Sequence, residues 1–263
     1  MKKYKGLVIP AIITTVWWIS TSLNLVNAYL LPSPKRIFDT FIYLLSNGLL
    51  IKHMEVSLLR VLGGFFITVI VALPLAVLVA LNRKIYDYLE PVLEFIRHIP
   101  PISLIPLLIL WLGIGEASKI SIIVLATFFP VFLNTVSGIV NSDEKLKEVG
   151  IVFNFSPRDS LTKIIFPQAL PSILVGLQLG LGYSWRSLIG AELIAASTGI
   201  GYMIIEAEQL SRPDIIIVGI LAIGILGYAV DSLFLKLTNK FIAWDREEGD
   251  YVSGYDKELV KGL

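Results

Sequence analysis

Long apolar runs separated by short clusters of charge dominate the pattern of this chain. Lys, Arg, Asp and Glu are absent from four intervals, which run between Lys5 and Lys35, Arg60 and Arg83, Lys119 and Asp143, and Lys163 and Arg186. A helix needs about 20 predominantly apolar residues to cross ~30 Å of hydrocarbon. Each interval is long enough, so the pattern predicts an all-α integral membrane protein.

About six membrane spans fit this pattern. They cover approximately residues 6–25, 58–81, 88–113, 119–141, 168–195 and 214–236. The third is the least regular, because Pro100, Pro101 and Pro106 interrupt any straight helix. Irregular backbone at membrane depth is tolerated where it is buried in protein or lines water. The prolines therefore indicate either a hinge beside a pore or a kink without a gating role.

An amphipathic helix is predicted between the first two spans. Ser33-Pro34 has the residue types of an N-cap followed by proline at the first helical position. Apolar residues then recur at helical spacing, at Ile37, Phe38, Phe41, Leu44 and Leu45. Such a helix is expected to lie at the membrane surface.

The amino-terminal run admits two interpretations. Lys2, Lys3 and Lys5 precede an apolar stretch, and the Val-Asn-Ala of residues 26–28 resembles a signal-peptide cleavage site. The run of residues 6–23, however, is longer than the usual apolar core of a signal peptide. We therefore favour a retained first helix over a cleaved leader.

Composition narrows the class of protein further. The 263 residues are 55% hydrophobic and 16% charged, whereas soluble domains carry about 25% charged residues. A net charge of +1 provides no basic field for nucleic acid. The absence of cysteine excludes disulfides and thiol catalysis, and His53 and His98 lack metal-ligand spacing. Neither a catalytic site nor a metal site is predicted.

The distribution of Lys and Arg predicts the orientation. With the N-terminus inside, the cytoplasmic segments contain Lys2, Lys3, Lys5, Arg83, Lys84, Lys145, Lys147, Arg158, Lys163, Lys236, Lys240 and Arg246. The outer segments contain Lys35, Arg36, Lys52, Lys119 and Arg212. The excess inside predicts that both termini are cytoplasmic. The same topology places the loop of about residues 143–167 in the cytoplasm.

That loop, between the fourth and fifth spans, carries a spaced motif. It consists of Glu148-Val149-Gly150, three residues, Asn154, nine residues, and Ile164-Ile165-Phe166-Pro167. The spacing resembles the E-A-A-x(3)-G-x(9)-I-x-L-P loop of the membrane subunits of bacterial ABC importers. Asn154 stands where that loop has glycine, and asparagine tolerates a positive φ better than most residues.

A short helix in the loop is expected to be apolar on one side. Its apolar residues are Leu146, Val149, Val152 and Phe153. A helix of this kind suits a groove on a partner, with charges at the edges. The resemblance implies that it docks on a separate ATPase subunit. The coupling residues implied in this way are Glu148, Val149, Gly150, Asn154, Ile164, Phe166 and Pro167.

Four further segments extend the resemblance over nearly the whole chain. They are Leu31–Pro34, Ser57–Phe65, Ile99–Lys119 and Ala191–Tyr202. Together they are similar to permeases of the nitrate, sulfonate, taurine and thiamine-precursor importers. The resemblance implies a type I importer permease fold over residues 1–244, with a coupling helix between spans four and five. Residues 245–263 are expected to form a polar cytoplasmic tail.

The resemblance also implies an assembly in a bacterial or archaeal plasma membrane. Its members would be a second copy of the permease, two ATP-binding subunits that carry ATP and Mg, and an extracytoplasmic substrate-binding protein. The chain has no G-x-x-x-x-G-K-[ST] loop, so it is not expected to be an enzyme itself. A small anionic solute is expected. A proton- or ion-coupled secondary transporter remains the alternative.

Charges within or beside the spans mark a candidate solute pathway or gate. Arg186 and Glu192 fall in the fifth span, and Arg97 precedes Pro100-Pro101 in the third. A charge at the membrane centre costs at least ~2.5–3.5 kcal/mol, so it usually faces a cavity or a partner. Arg186 and Glu192 lie about 120° apart on a helix and are not expected to pair. These residues either line the pathway or hold helices together.

Small residues predict close contact between helices. The fifth span contains Gly176, Gly180 and Gly182, and the sixth contains Gly219, Gly224 and Gly227. Small side chains let helix backbones approach each other closely in lipid. Packing is favoured over solute recognition for these glycines.

Overall fold

Helices account for every regular element in residues 2–238, the part of the chain that this computed structural model describes; side chains are described for residues 8–82 and 84–238. They are α1 (Lys2–Ser22), α2 (Pro34–Ser46), α3 (Leu49–Leu81), α4 (Arg83–Arg97), α5 (Ile105–Leu112), α6 (Glu116–Val140), α7 (Glu144–Val152), α8 (Pro157–Ser160), α9 (Phe166–Ala195), α10 (Ile200–Gln209) and α11 (Pro213–Thr238). A 3₁₀ turn (Pro101–Leu104) precedes α5, and a π turn (Leu161–Ile165) joins α8 to α9. The all-α prediction is confirmed. The predicted tail, residues 245–263, lies outside the described residues.

Four helices of the described chain are long and apolar enough to cross a membrane. They are α3, α6, α11 and the helix that runs from Pro157 to Ala195. A fifth crossing arises if the bent pair Lys84–Arg97 and Pro101–Leu112, which turns by 82°, counts as one span. These five elements match the second to sixth predicted spans, and the third is broken at its prolines as expected. α1 matches the first predicted span. Its part with described side chains, Val8–Ser22, is a shorter apolar helix.

The centre of the bundle is the pair α6 and α9, and α3 packs against both. Two glycines allow the close approach of this pair. A Cβ on Gly138 would lie 2.8 Å from Cβ of Ser172, and a Cβ on Gly176 would lie 2.7 Å from Cβ of Asn134. The added atom at Gly176 would also lie 2.9 Å from the backbone oxygen of Pro130. The two helices therefore have no room for larger side chains here.

The prediction of close packing also holds at Gly180 and Gly219, where a Cβ would meet neighbouring side chains at 2.9 and 2.7 Å. It is wrong for Gly182, Gly224 and Gly227, where a Cβ would meet open space within the described chain. The prediction fails at these positions because the sequence does not show how each helix is rotated about its axis. A run of small residues therefore does not reveal which of them faces the neighbouring helix.

The amphipathic helix forms as predicted and becomes α2. Ser33 caps it, since its hydroxyl accepts a hydrogen bond from the Arg36 backbone N–H at 3.3 Å. Ile37 and Leu44 are buried against the bundle, where α2 contacts α11 and α3. Phe38 and Leu45 remain 63% and 39% exposed. Only part of the predicted apolar stripe therefore faces protein.

The two ends of the bundle differ in character. At one end, called here the loop end, α7, α8 and the π turn connect α6 to α9. At the other, called here the charged end, the start of α6 and the end of α9 lie near the first half of α3 and the start of α10. The candidate coupling residues and the buried charges therefore lie at opposite ends.

Candidate coupling site and buried charge cluster

The helix α7 has a defined beginning and a defined end. Asp143 caps its first turn, because a carboxylate oxygen accepts from the Lys145 backbone N–H at 2.8 Å. At its end, Phe155 N–H donates to the Gly150 oxygen at 2.9 Å, and Asn154 N–H donates to the Ile151 oxygen at 3.0 Å. This pair of bonds is a Schellman motif, which needs a left-handed residue. Asn154 supplies it with φ 54°, as its place in the motif predicts.

Two contacts fix α7 to the start of the fifth span. Gly150 is buried against Ile164, and a Cβ there would lie 2.7 Å from the Ile164 Cδ1 atom. The Asp143 backbone N–H donates to the Gln168 side-chain oxygen at 2.7 Å. Two of the predicted coupling residues, Gly150 and Ile164, are thus brought together although 14 positions separate them. α7 is held against the base of α9 as one unit.

The outward face of α7 is apolar with charged edges. Val149, Val152 and Phe153 are 47%, 76% and 70% exposed. Glu148 is exposed beside them, one helical turn before Val152. At the far side of the loop, Phe166 is 46% exposed. Exposed apolar side chains on a helix of nine residues form a surface suited to a partner.

Substituting Asn154 tests this cap. Asn154→Val is expected to cost about 1–2 kcal/mol, because a β-branched residue is strained in the left-handed region. Asn154→Gly is expected to leave stability within a few tenths of a kcal/mol, because glycine is favoured at this position. The measurement is the rate of proteolytic cleavage between α7 and α8, together with the thermal midpoint in detergent. Equal behaviour of the two variants would contradict the role of Asn154.

A cluster of buried charges lies at the charged end. The Arg60 guanidinium donates to the Glu192 carboxylate at 2.7 Å and makes two bonds of 2.6 Å to Glu116. Glu192 is fully buried, and Arg60 is 5% exposed. Lys119 lies 3.0 Å from Glu116 and is also buried. Glu116 is 58% exposed and the other three charged groups are buried. Two cations and two carboxylates balance here, which limits the cost of burying Arg60, Lys119 and Glu192.

The same cluster orders the turn between α9 and α10. Arg60 donates to the Thr198 backbone oxygen at 2.6 Å. Gly201 N–H donates to Glu192 at 2.9 Å, and Gly199 N–H donates to the His53 ring at 3.0 Å. Gly199 has φ +119°, and a Cβ there would overlap the Glu192 carboxylate, so glycine is required. The turn is therefore built around buried acid and base groups.

The predicted pathway residues Glu192, Arg97 and Arg186 lie in three different surroundings. Glu192 belongs to the buried cluster, where it joins α9 to α3 and to the turn. Arg97 lies at the end of α4 and pairs with Glu94 at 2.8 Å, just before the break at Pro100-Pro101. Arg186 is exposed, and its guanidinium lies 5.4 Å from the Tyr183 ring. Arg186 and Glu192 do not pair with each other, in agreement with their angular separation.

The sequence did not reveal how Arg60 is used. In the sequence Arg60 is only a charge near the end of a span, and no neighbouring residue indicates its partners. Its two carboxylates come from positions 56 and 132 residues away. The only usable signal was that a charge inside an apolar segment needs a partner. Among the described residues, no group of three or more His, Cys, Asp or Glu could hold a metal ion.

The structure is an all-helical bundle with candidate membrane spans, and a capped, exposed short helix lies between two of its central spans. The chain belongs to the family described as binding-protein-dependent transport system inner membrane component, whose model matches residues 57–242. It is thus an ABC transporter permease.

Similar proteins agree with this assignment. The chain is 39% identical to SsuC of Bacillus subtilis (strain 168), described as an aliphatic sulfonates transport permease protein, over 91% of this chain and 87% of that protein. It is 31% identical to the taurine transport system permease protein TauC of Escherichia coli (strain K12), over 90% of this chain and 88% of that one.

A solved structure shares the fold. The MetNI methionine ABC transporter, in an inward-facing conformation, superposes with a TM-score of 0.58. The match covers 72% of this chain and 95% of the other, at 16% sequence identity. The type I importer-like fold is therefore confirmed.

Proposed function

We propose that this chain forms the translocation pathway of an ATP-driven importer, and that a separate ATPase subunit binds the outward face of α7. The observation that carries the proposal is this face, with Val149, Val152 and Phe153 exposed on a helix whose position is fixed at both ends. An apolar helix face with charged edges fits a groove on another protein. ATP and Mg are bound by that partner, and this chain catalyses no reaction.

The connection between α7 and α9 gives a route for coupling. When the ATPase subunits close, they displace α7, which is joined to the base of α9 through Gly150, Ile164 and Gln168. The central pair of helices then changes its tilt, and the pathway alternates between inward and outward access. ATP drives this change only because the two states differ in their affinity for the closed ATPase.

The assembly contains two copies of this chain, two ATPase subunits and an extracytoplasmic binding protein. The loop end and both termini face the cytoplasm of a bacterial or archaeal cell, as the bias of Lys and Arg predicts. The charged end faces outward and receives the solute from the binding protein. The similarity to sulfonate and taurine permeases supports a small anionic solute, with nitrate as a further candidate.

Affinity purification tests the assembly. The tagged chain is extracted from its native membranes in mild detergent, and the proteins that accompany it are identified by mass spectrometry. An ATPase subunit in equal amount is the expected result. Isolation of the chain alone, under conditions that preserve other ABC complexes, would instead favour a secondary transporter.

Glu148 tests the docking face itself. In the proposed complex Glu148 is buried beside a cation of the ATPase. Glu148→Ala is then expected to lower recovery of the ATPase about tenfold or more, because removing one partner of a buried charge pair costs about 2–5 kcal/mol. Glu144→Ala is the matched control, since Glu144 lies in the same helix but in the first turn, beside the Asp143 cap. If both variants recover the same amount of ATPase and show normal solute uptake, Glu148 is not part of the coupling site.

A further inference from the structure

The first turn of α10 is held by side chains from two other helices. The backbone N–H groups of residues 199–201 donate, in chain order, to His53, Ser57 and Glu192, at 3.0, 2.9 and 2.9 Å. His53 and Ser57 belong to α3, and Glu192 belongs to α9. The first N–H groups of a helix have no partner within it. These three contacts therefore join α10 to α3 and α9 at the charged end.

The contact made by His53 requires a neutral ring. His53 is buried, with 4% of its surface exposed, and its Nδ1 atom lies 3.0 Å from the Gly199 nitrogen. A backbone N–H can only donate, so Nδ1 accepts and the proton of the neutral ring is on Nε2. A second proton, taken from water by Nδ1, would place two N–H groups against each other. The bond to Gly199 therefore exists only while His53 is neutral.

The surroundings offer little to replace that bond. The charged and titratable groups near His53 are Lys52 and Arg60 of α3, Glu192 of α9, Tyr202 and Glu206 of α10, and, beyond Arg60, Glu116 and Lys119 of α6. Glu206 accepts from the Tyr202 hydroxyl at 3.0 Å, and Glu192 is paired with Arg60 at 2.7 Å. Both carboxylates thus have partners, and the amino-terminal end of α10 disfavours a positive charge on the ring.

The turn held by His53 is also part of the closed charged end. Arg60 donates to the backbone oxygen of Thr198, the residue before Gly199, at 2.6 Å. The same guanidinium joins Glu192 of α9 to Glu116 of α6. Movement of the turn would therefore loosen contacts among α3, α6, α9 and α10 together.

We propose that the bond between His53 and Gly199 is a proton-sensitive contact that holds the charged end closed. Neutral His53 fixes the turn before α10, and protonation of the ring releases it. Histidine is the side chain that ordinarily changes its charge between about pH 5 and pH 8. The inference rests on the proposed function in one respect, because the charged end faces outward there. Acidity outside the cell is then the signal to which the permease responds.

Release of the turn is expected to raise the basal rate of ATP hydrolysis. In the proposed cycle the outer end opens when the ATPase subunits close. Weakening a contact of the closed outer end therefore shifts the permease toward the state that favours closed ATPase subunits. His53 is a positioning residue in this scheme, because it acts through the turn.

A spin label on the turn tests the contact directly. The chain contains no cysteine, so Ser197→Cys, at an exposed position, provides a single labelling site. In protein purified in mild detergent, the mobility of the label is expected to rise about threefold between about pH 7.5 and about pH 5. His53→Asn is expected to abolish this response, because its side-chain oxygen accepts from Gly199 and does not titrate. His53→Leu has no acceptor, so its label is expected to be mobile at both pH values.

The other histidine of the chain is the matched control. The His98 ring is exposed at the end of α4, where its Nδ1 atom lies 2.6 Å from the Glu94 backbone oxygen. His98→Asn is expected to keep the full response to pH. A label that stays immobile at about pH 5 in the unsubstituted background would overturn the contact. A response that persists in His53→Asn would overturn it as well, and would assign the effect to Glu192 or Glu206.

ATP hydrolysis in proteoliposomes tests the link to transport. ATP, Mg and about pH 7.5 are kept on the ATPase side, and only the opposite side is acidified to about pH 5. Hydrolysis is expected to rise about threefold, and to stay constant in His53→Asn. Release of the label without a change in hydrolysis would overturn the coupling of this contact to the ATPase. Absence of an ATPase subunit would overturn the importer instead, and the spin label would still decide the contact because it requires no ATP.

Discussion

Replacing Arg60 with alanine is expected to lower the free energy of unfolding by about 3–5 kcal/mol, the range for breaking a buried ion pair. The loss is large because Glu192 is fully buried and would lose its cationic partner. Glu116 would lose two bonds of 2.6 Å at the same time. The measurement is the midpoint of unfolding in a mixture of mild detergent and dodecyl sulfate, followed by circular dichroism.

Two further variants identify the cause of that loss. Arg36→Ala is the control, with an expected cost of about 0–1 kcal/mol, because Arg36 is exposed and Arg212 still pairs with Asp214 at 2.7 Å. The double variant Arg60→Met with Glu192→Gln is expected to recover part of the stability, because no uncompensated carboxylate stays buried. A loss below about 1 kcal/mol in Arg60→Ala would mean that the cluster contributes little to stability.

Replacing Gly176 with valine is expected to destabilise the bundle by about 3 kcal/mol, the upper part of the usual range for overpacking. The added atoms would meet the Pro130 backbone oxygen as well as Asn134, and a backbone oxygen in a helix cannot turn aside. α6 and α9 would have to separate along their central contact. Thermal unfolding monitored by size-exclusion chromatography in detergent measures the effect.

Gly224→Val provides the comparison for this prediction. It makes the same change of side chain in a helix, but a Cβ on Gly224 would meet open space within the described chain. Its expected effect is below about 0.5 kcal/mol, as for a surface substitution. A similar loss of stability in both variants would contradict the prediction. It would show that the loss comes from replacing a flexible glycine, and not from close packing of α6 on α9.

Features with a local cause were predictable from the sequence. Spans follow from the spacing of charges, and the break in the third follows from its prolines. The left-handed conformation of Asn154 follows from the place it takes in a motif that has glycine there. In each case a few neighbouring residues dictate the backbone, so a single sequence contains the necessary information.

Features that depend on distant pairing were not predictable. The sequence shows that Arg60 and Glu192 are charges near or within apolar segments, but their 2.7 Å contact depends on how α3 and α9 are placed. Gly176 and Gly182 look alike in sequence, yet only the first faces a neighbouring helix. The contact of Gly150 with Ile164 likewise appears only once the loop has closed. The rotation and tilt of the helices determine these contacts, and neither can be predicted from a short stretch of sequence.

The π turn at Leu161–Ile165 has a mechanical consequence. It lets the chain from Pro157 to Ala195 continue as one helix of 39 residues, with no flexible loop inside it. Such a helix is about 58 Å long at ~1.5 Å per residue. A tilt of about 5° around one end would displace the other by roughly 5 Å over that length. That displacement is larger than the 2.7 Å contact between Arg60 and Glu192, so a tilt of α9 away from α3 by this angle is expected to break the ion pair.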